Sequence, residues 1–161
     1  SLLHKIVDVT RLQRRTVLAV VVVMLAACSP GGLGGPLDSP DIPPLDVELV
    51  SRGSDLYEAH CASCHGADLT GEDNWRVTKA DGSYPAPPHD SSGHTWHHSD
   101  AVLLEIIRDG IDFPQSRMPT FSEKLSDEEI LAIVEFLKSS WGPEERAYQW
   151  QVTQGAGQPS S

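Results

Sequence analysis

Basic residues are the first thing this chain lacks: 12 Lys and Arg stand against 23 Asp and Glu, a formal net charge of −11. A surface of that sign repels nucleic acid and anionic lipid headgroups, so nucleic-acid binding is excluded on electrostatic grounds. Long apolar runs are lacking too. The run Val17–Ala27 has 11 residues, and it rises only about 17 Å against a hydrocarbon core of roughly 30 Å, too little for a spanning helix. A hydrophobic share of 39% in 161 residues leaves room for one domain of about 100 residues and no second core. Sulfur is scarce as well, with two methionines and three cysteines, so each can be asked for a role.

What is present begins with a leader. Lys5, Arg11, Arg14 and Arg15 precede the apolar run, and Leu25-Ala26-Ala27-Cys28 closes it, the layout of a secretory signal peptide over residues 1–27. Leu25–Cys28 resembles the lipobox of bacterial lipoproteins, which implies cleavage before Cys28, lipidation of its sulfur, and an exported protein anchored to a membrane facing the periplasm or cell exterior. The plainer reading is a leader ending in small residues, with Cys28 left as an odd thiol. Residues 28–49 are rich in Gly and Pro and read as the lipidated cysteine plus a flexible linker with a reach of roughly 25 Å. Once residues 1–27 are removed, eight Lys and Arg face 22 Asp and Glu, about −14.

Cys61-Ala62-Ser63-Cys64-His65 concentrates more chemistry than any other stretch. Two thiols one helical turn apart can add to the two vinyl groups of a haem while the adjacent imidazole takes an axial position on the iron. A thioredoxin-like dithiol would use only Cys61 and Cys64. Half a zinc site would need His94 and His98, but 29 residues separate Cys64 from His94, far more than the usual dozen or so. Upstream, Gly53, Leu56, Tyr57, His60, Cys61 and Cys64 recur at three- and four-residue steps, which predicts a helix from about Ser51 with the motif at its end.

Residues 66–98 show little periodicity, and a connection of this length within a compact domain wraps around something. One proline carbonyl within Tyr84–His89 can accept the proton of the His65 nitrogen that faces away from iron. In Gly93–His98, Trp96 and His98 are candidates for contacts to the haem propionates, and the imidazole cluster is a candidate surface metal site. Ser99 caps a second helix with Val102, Leu103, Ile106 and Ile107 in its stripe, ended by Gly110. Ser126-Asp127-Glu128-Glu129 is a capping box that opens a third, with Ile130, Ile133, Val134, Leu137 and Trp141 as its apolar face. Gly142-Pro143 stops it, and residues 144–161 read as a partly disordered tail that can fold back at Tyr148 and Trp150.

Met24 lies in the leader, so Met118 is the only thioether left for a second axial position, 53 residues after His65. His60, His89, His94, His97 and His98 stay open as alternatives. A thioether raises the potential relative to a second imidazole.

From helix through Cys61–Gly66, loop, middle helix, Met118-Pro119 and last helix, residues 50 to 141 resemble the small class I c-type cytochromes of bacteria. The resemblance implies an all-α fold of about three to four helices around one covalent haem c, in a domain over residues 50–143. It also implies that the first and last helices cross at Gly53 and Phe136. The expected function is a one-electron carrier in a respiratory or related chain, not an enzyme, with Cys61 and Cys64 as thioethers and His65 and Met118 on iron. Its acidic surface suits a redox partner with a basic docking face. The alternative is a haem subunit of an oxidoreductase or peroxidase complex.

Overall fold

The computed structural model describes residues 41–156, in which five α-helices and one 3-10 turn are present and no strand. The chain enters through an extended segment that ends at Asp46. Its carboxylate accepts from the backbone N–H of Glu48 and Leu49 at 2.9 and 3.2 Å, which starts α1, Val47–His60. The helix therefore begins four residues before the expected Ser51, because Asp46 is the better cap. At Cys61 the backbone leaves regular helix (φ −119°, ψ −36°), and a four-residue α2, Ala62–His65, follows. Gly66, at φ 77°, ends it in a conformation that L side chains avoid.

A loop with a 3-10 turn at Thr95–His97 leads to α3, Asp100–Asp109, capped by Ser99 and closed by Gly110. The last two helices are α4, Asp127–Ser139, and α5, Pro143–Ala156. The Ser126/Glu129 capping box is complete in both directions.

The core is built on the crossing of α1 and α4. A Cβ on Gly53 would overlap the carbonyl of Ala132 and sit 2.9 Å from Phe136 Cβ, so only glycine lets the two backbones approach this closely. Tyr57, 2% exposed, meets the Phe136 ring at 5.3 Å between centroids. Ile130, Ile133, Val134 and Leu137 of α4 and Leu103 and Ile107 of α3 complete the interior.

Two boundaries differ from the sequence reading. Residues 41–46 of the expected linker lie along the domain, where Arg146 Nη2 donates to Pro43 O at 2.8 Å. Residues 143–156 form helix rather than tail, and α5 packs on the 3-10 turn and α3. Pro143 fits the first helical position, Glu144 and Glu145 fit the positive end of the helix dipole, and the buried anchor is polar. Gln149 Nε2 lies 2.6 Å from Asp100 Oδ1, 3.0 Å from Thr153 Oγ1 and 3.3 Å from His98 O. α2 and α5 bring the helix count above the expected three to four. No helix among the described residues is long and apolar enough to cross a membrane. The leader, the lipobox at Cys28, most of the linker and residues 157–161 lie outside the described residues.

Candidate cofactor site

The break at Cys61 places both thiols and the His65 ring on one cleft of about 780 Å³, within the size range of cofactor sites. Cys64 N and His65 N both donate to Cys61 O at 3.0 Å, which fixes the tight turn between the cysteines. Neither cysteine is in a disulfide. Burial pushes the Cys61 thiol up to about 11, with Cys64 adding to the rise. A dithiol oxidoreductase needs a thiolate, so the thiol-redox alternative has the wrong electrostatics at Cys61.

His65 is buried, 8% exposed. Its Nδ1–H donates to Pro87 O at 2.9 Å, which identifies the proline that the sequence left open and leaves Nε2 as the free nitrogen. Burial lowers the pKa of His65, the Pro87 contact opposing it, so the neutral ligand form is favoured. The His89 ring stacks on His65 at 4.1 Å and 25°. His89 is itself held at several points. Its Nδ1 pairs with Thr95 Oγ1 at 2.8 Å, its N–H donates to Leu69 O at 2.7 Å, and its carbonyl accepts from Trp141 Nε1 at 2.8 Å. Burial, with His65 and His94 nearby, holds the His89 imidazole well below its ordinary pKa. Tyr57 Oη donates to Gly66 O at 3.0 Å, and burial raises its pKa, so it remains a neutral donor.

The opposite part of the wall comes from α3, the loop after it and α4. Leu103, Ile107, Phe121, Ile133 and Leu137 make it apolar, and Met118 and Pro119 line it. That loop is tied to the end of α3: Phe121 N–H donates to Ile107 O at 3.2 Å, Thr120 Oγ1 to Arg108 O at 2.6 Å, and Met118 N–H to Ser116 Oγ at 3.1 Å. Met118 is thus held by these bonds and by packing of its side chain against the core.

Of the residues singled out in the sequence, Cys61, Cys64, His65, Met118 and His98 line the cleft together. Trp96 is not among the lining residues. Its ring packs on His97 at 3.8 Å and on Tyr148 of α5 at 5.5 Å. Among the alternative axial ligands, His60, His89, His94 and His98 also border the cleft, and His97 does not. Among the described residues no three His, Cys, Asp or Glu side chains are arranged to hold a metal ion, so the imidazoles of residues 94 to 98 form no such group. Sequence reasoning did not assign His89, Tyr57 or Pro87 their roles. A histidine in a Pro-rich loop, next to residues already bonded to the motif, was the signal present for His89.

These residues fit a covalent haem: two free thiols, an imidazole with one nitrogen held and one open, an apolar wall, and a thioether. His94 Nδ1 and Trp96 Nε1 are buried without a hydrogen-bond partner among the described residues. Residues 48–137, from the first turn of α1 to the last buried leucine of α4, match the family described as cytochrome C oxidase, cbb3-type, subunit III.

Proposed function

Because the chain belongs to the cytochrome C oxidase, cbb3-type, subunit III family, and is thereby a c-type cytochrome with one covalently bound haem c, we propose a specific division of labour in its cleft. Cys61 and Cys64 would hold the haem through thioether bonds, and His65 and Met118 would ligate its iron. Haem c supplies a one-electron iron couple. Each residue then has a defined task. Pro87 O takes the Nδ1 proton of His65, which sets the tautomer and turns Nε2 to the cleft. His89 stacks on the same ring and limits its rotation. The α3–α4 connection presents Met118, and the aliphatic wall keeps water away, which favours the less charged ferrous state.

The observation that carries this reading is His65: a buried imidazole bonded through Nδ1 at 2.9 Å, next to two thiols on one cleft. The test is a haem stain after denaturing electrophoresis. The wild-type chain stains and the double variant Cys61→Ala/Cys64→Ala does not; a stained double variant removes the thioether assignment.

With His65 and Met118 both on the iron no position would be left for a substrate, which supports electron transfer over catalysis. The family description names an oxidase subunit, which supports a second reading of the domain as an electron-transfer subunit of such a complex. Export, with Cys28 lipidated and residues 28–40 as tether, places the domain on the extracytoplasmic side of a membrane. Cys28→Ser then releases a haem-loaded domain, and retention of the variant in salt-washed membranes removes the anchor. The acidic surface favours a partner with a basic docking face, whose encounter slows as salt rises.

A further inference from the structure

Residues 111–117, which lead from the end of α3 to Met118, have little structure of their own. Phe113 N–H donates to Ile111 O and Ser116 N–H to Phe113 O, both at 2.8 Å, and neither bond reaches another part of the chain. Two hydrogen bonds among the described residues do, and both end on one turn. Gln115 O accepts from Tyr84 N–H at 3.1 Å, and Arg117 Nη2 donates to Asp81 Oδ2 at 2.7 Å. The Tyr84 and Phe113 rings also meet, 5.9 Å between centroids and at 33°. Tyr84, Phe113, Arg117 and Met118 all line the cleft.

The turn is closed by its own bonds. Lys79 N–H donates to Ser83 O at 2.8 Å and Gly82 N–H to Lys79 O at 2.9 Å. Asp81 Oδ1 accepts from Ser83 N–H at 3.0 Å and from the Ser83 hydroxyl at 2.7 Å. The carboxylate is therefore oriented from its own side of the gap, with Oδ2 left for the guanidinium, which lowers the ordering cost of the pair. Four residues after Ser83 the same segment reaches Pro87, whose carbonyl holds His65.

We propose that Asp81 is a positioning residue for Met118: through Arg117 it braces the loop that carries the thioether, and residues 81–87 thereby tie both axial side chains to one segment. This rests on the reading of His65 and Met118 as the iron ligands. Downstream of Met118 the loop is bonded to α3 through Thr120 and Phe121; the Asp81–Arg117 pair holds it upstream. The two side chains are 52% and 64% exposed, so the contribution of the pair is small and falls with salt.

The test is imidazole titration of the oxidised, full-length holoprotein, followed by loss of the far-red band of iron–thioether ligation. Imidazole competes with Met118 for the iron, so a weaker hold on Met118 tightens apparent imidazole binding. Arg117→Gln should tighten it by up to about fivefold. Asp81→Lys should do so at least as much, and Arg117→Lys should return it toward wild type. Arg117→Gln removes a cation and Asp81→Lys adds one, so a bare field effect on the iron would move these two variants in opposite directions. Raised salt should tighten binding in wild type and leave Arg117→Gln unchanged. Arg52→Gln, which removes the ion pairs joining α1 to α4, should titrate like wild type. Wild-type imidazole affinity in Arg117→Gln and Asp81→Lys, or an equal gain in Arg52→Gln, overturns this inference and leaves the axial reading intact. A wild-type holoprotein without the far-red band overturns both.

Discussion

Gly53→Ala is the smallest change that tests the architecture. The added methyl would overlap Ala132 O and approach Phe136 Cβ at 2.9 Å. The first of these is backbone in the middle of α4, so no side-chain rotation relieves it and the two helices must separate. Overpacking costs about 1 to 3 kcal/mol, and a backbone contact puts this site at the upper end. Replacing glycine by alanine within a helix returns about 1 kcal/mol. The net loss is about 2 kcal/mol, on the order of 10 °C in melting temperature for a domain of this size. The assay is thermal unfolding of the haem-loaded protein by far-ultraviolet circular dichroism, with Asp55→Ala on the exposed face of α1 as the control that should melt like wild type. Separation of the helices also loosens the Tyr57–Phe136 contact, so the far-red band of iron–thioether ligation should fade at a lower temperature than in wild type. A Gly53→Ala protein that melts within a degree or two of wild type refutes the crossing as the source of the glycine requirement.

Met118→Ala should keep the haem attached, remove the far-red band and lower the reduction potential by on the order of 100 mV; a wild-type spectrum in the variant assigns the second axial position to one of the cleft histidines. Gln149→Leu leaves Asp100 Oδ1, Thr153 Oγ1 and His98 O without the amide that joins them, and a denaturant titration should show a loss of about 1 to 3 kcal/mol. An unchanged midpoint there means that water serves those acceptors equally well. Glu129 is held below the usual carboxylate range, first by the Ser126 backbone N–H, then by its hydroxyl and by Arg52. Because its folded pKa is depressed, its contribution is fully present above the unfolded value and is lost as pH falls below that value and through the lower folded one. Glu129→Gln should therefore lose less stability than wild type between pH 6 and pH 3, and parallel losses would show that the capping box carries no such linkage.

The parts of the fold legible in the sequence are those where one residue type has one physical use. Gly53 four residues before Tyr57 and eight before Cys61 marked a helix face needing close approach, and Ser126 with Glu129 marked a helix start. Cys61, Cys64 and His65 were singled out by their spacing, and the structure puts all three on one cleft. Pro87 was not, since residues 85, 87 and 88 are all proline and a carbonyl's direction depends on how the loop folds over His65. α5 was missed for a related reason: its anchor is Gln149, a buried polar residue, and sequence patterns flag apolar stripes rather than amides that bridge three acceptors. Of the two candidates for propionate contacts, His98 lines the cleft, while the Trp96 ring packs on Tyr148.

The match to the family ends at residue 137, and several of the contacts that shape the haem-facing loop come from beyond it. Trp141 Nε1 and Ser140 Oγ both donate to His89 O, at 2.8 and 3.3 Å, and that residue stacks on His65. Gln149 reaches the carbonyl of His98 at the other end of the same loop, and Arg146 ties the entering segment to α5 through Pro43. A loop of this length with little periodicity has no regular hydrogen-bond ladder of its own, so its backbone groups must be satisfied from outside. α5 and the turn before it supply part of that, which accounts for a helix with so few apolar residues being ordered at all. The segment that matches the family thus places His65 and Met118 on one cleft, and the segment beyond it fixes the loop that packs on His65.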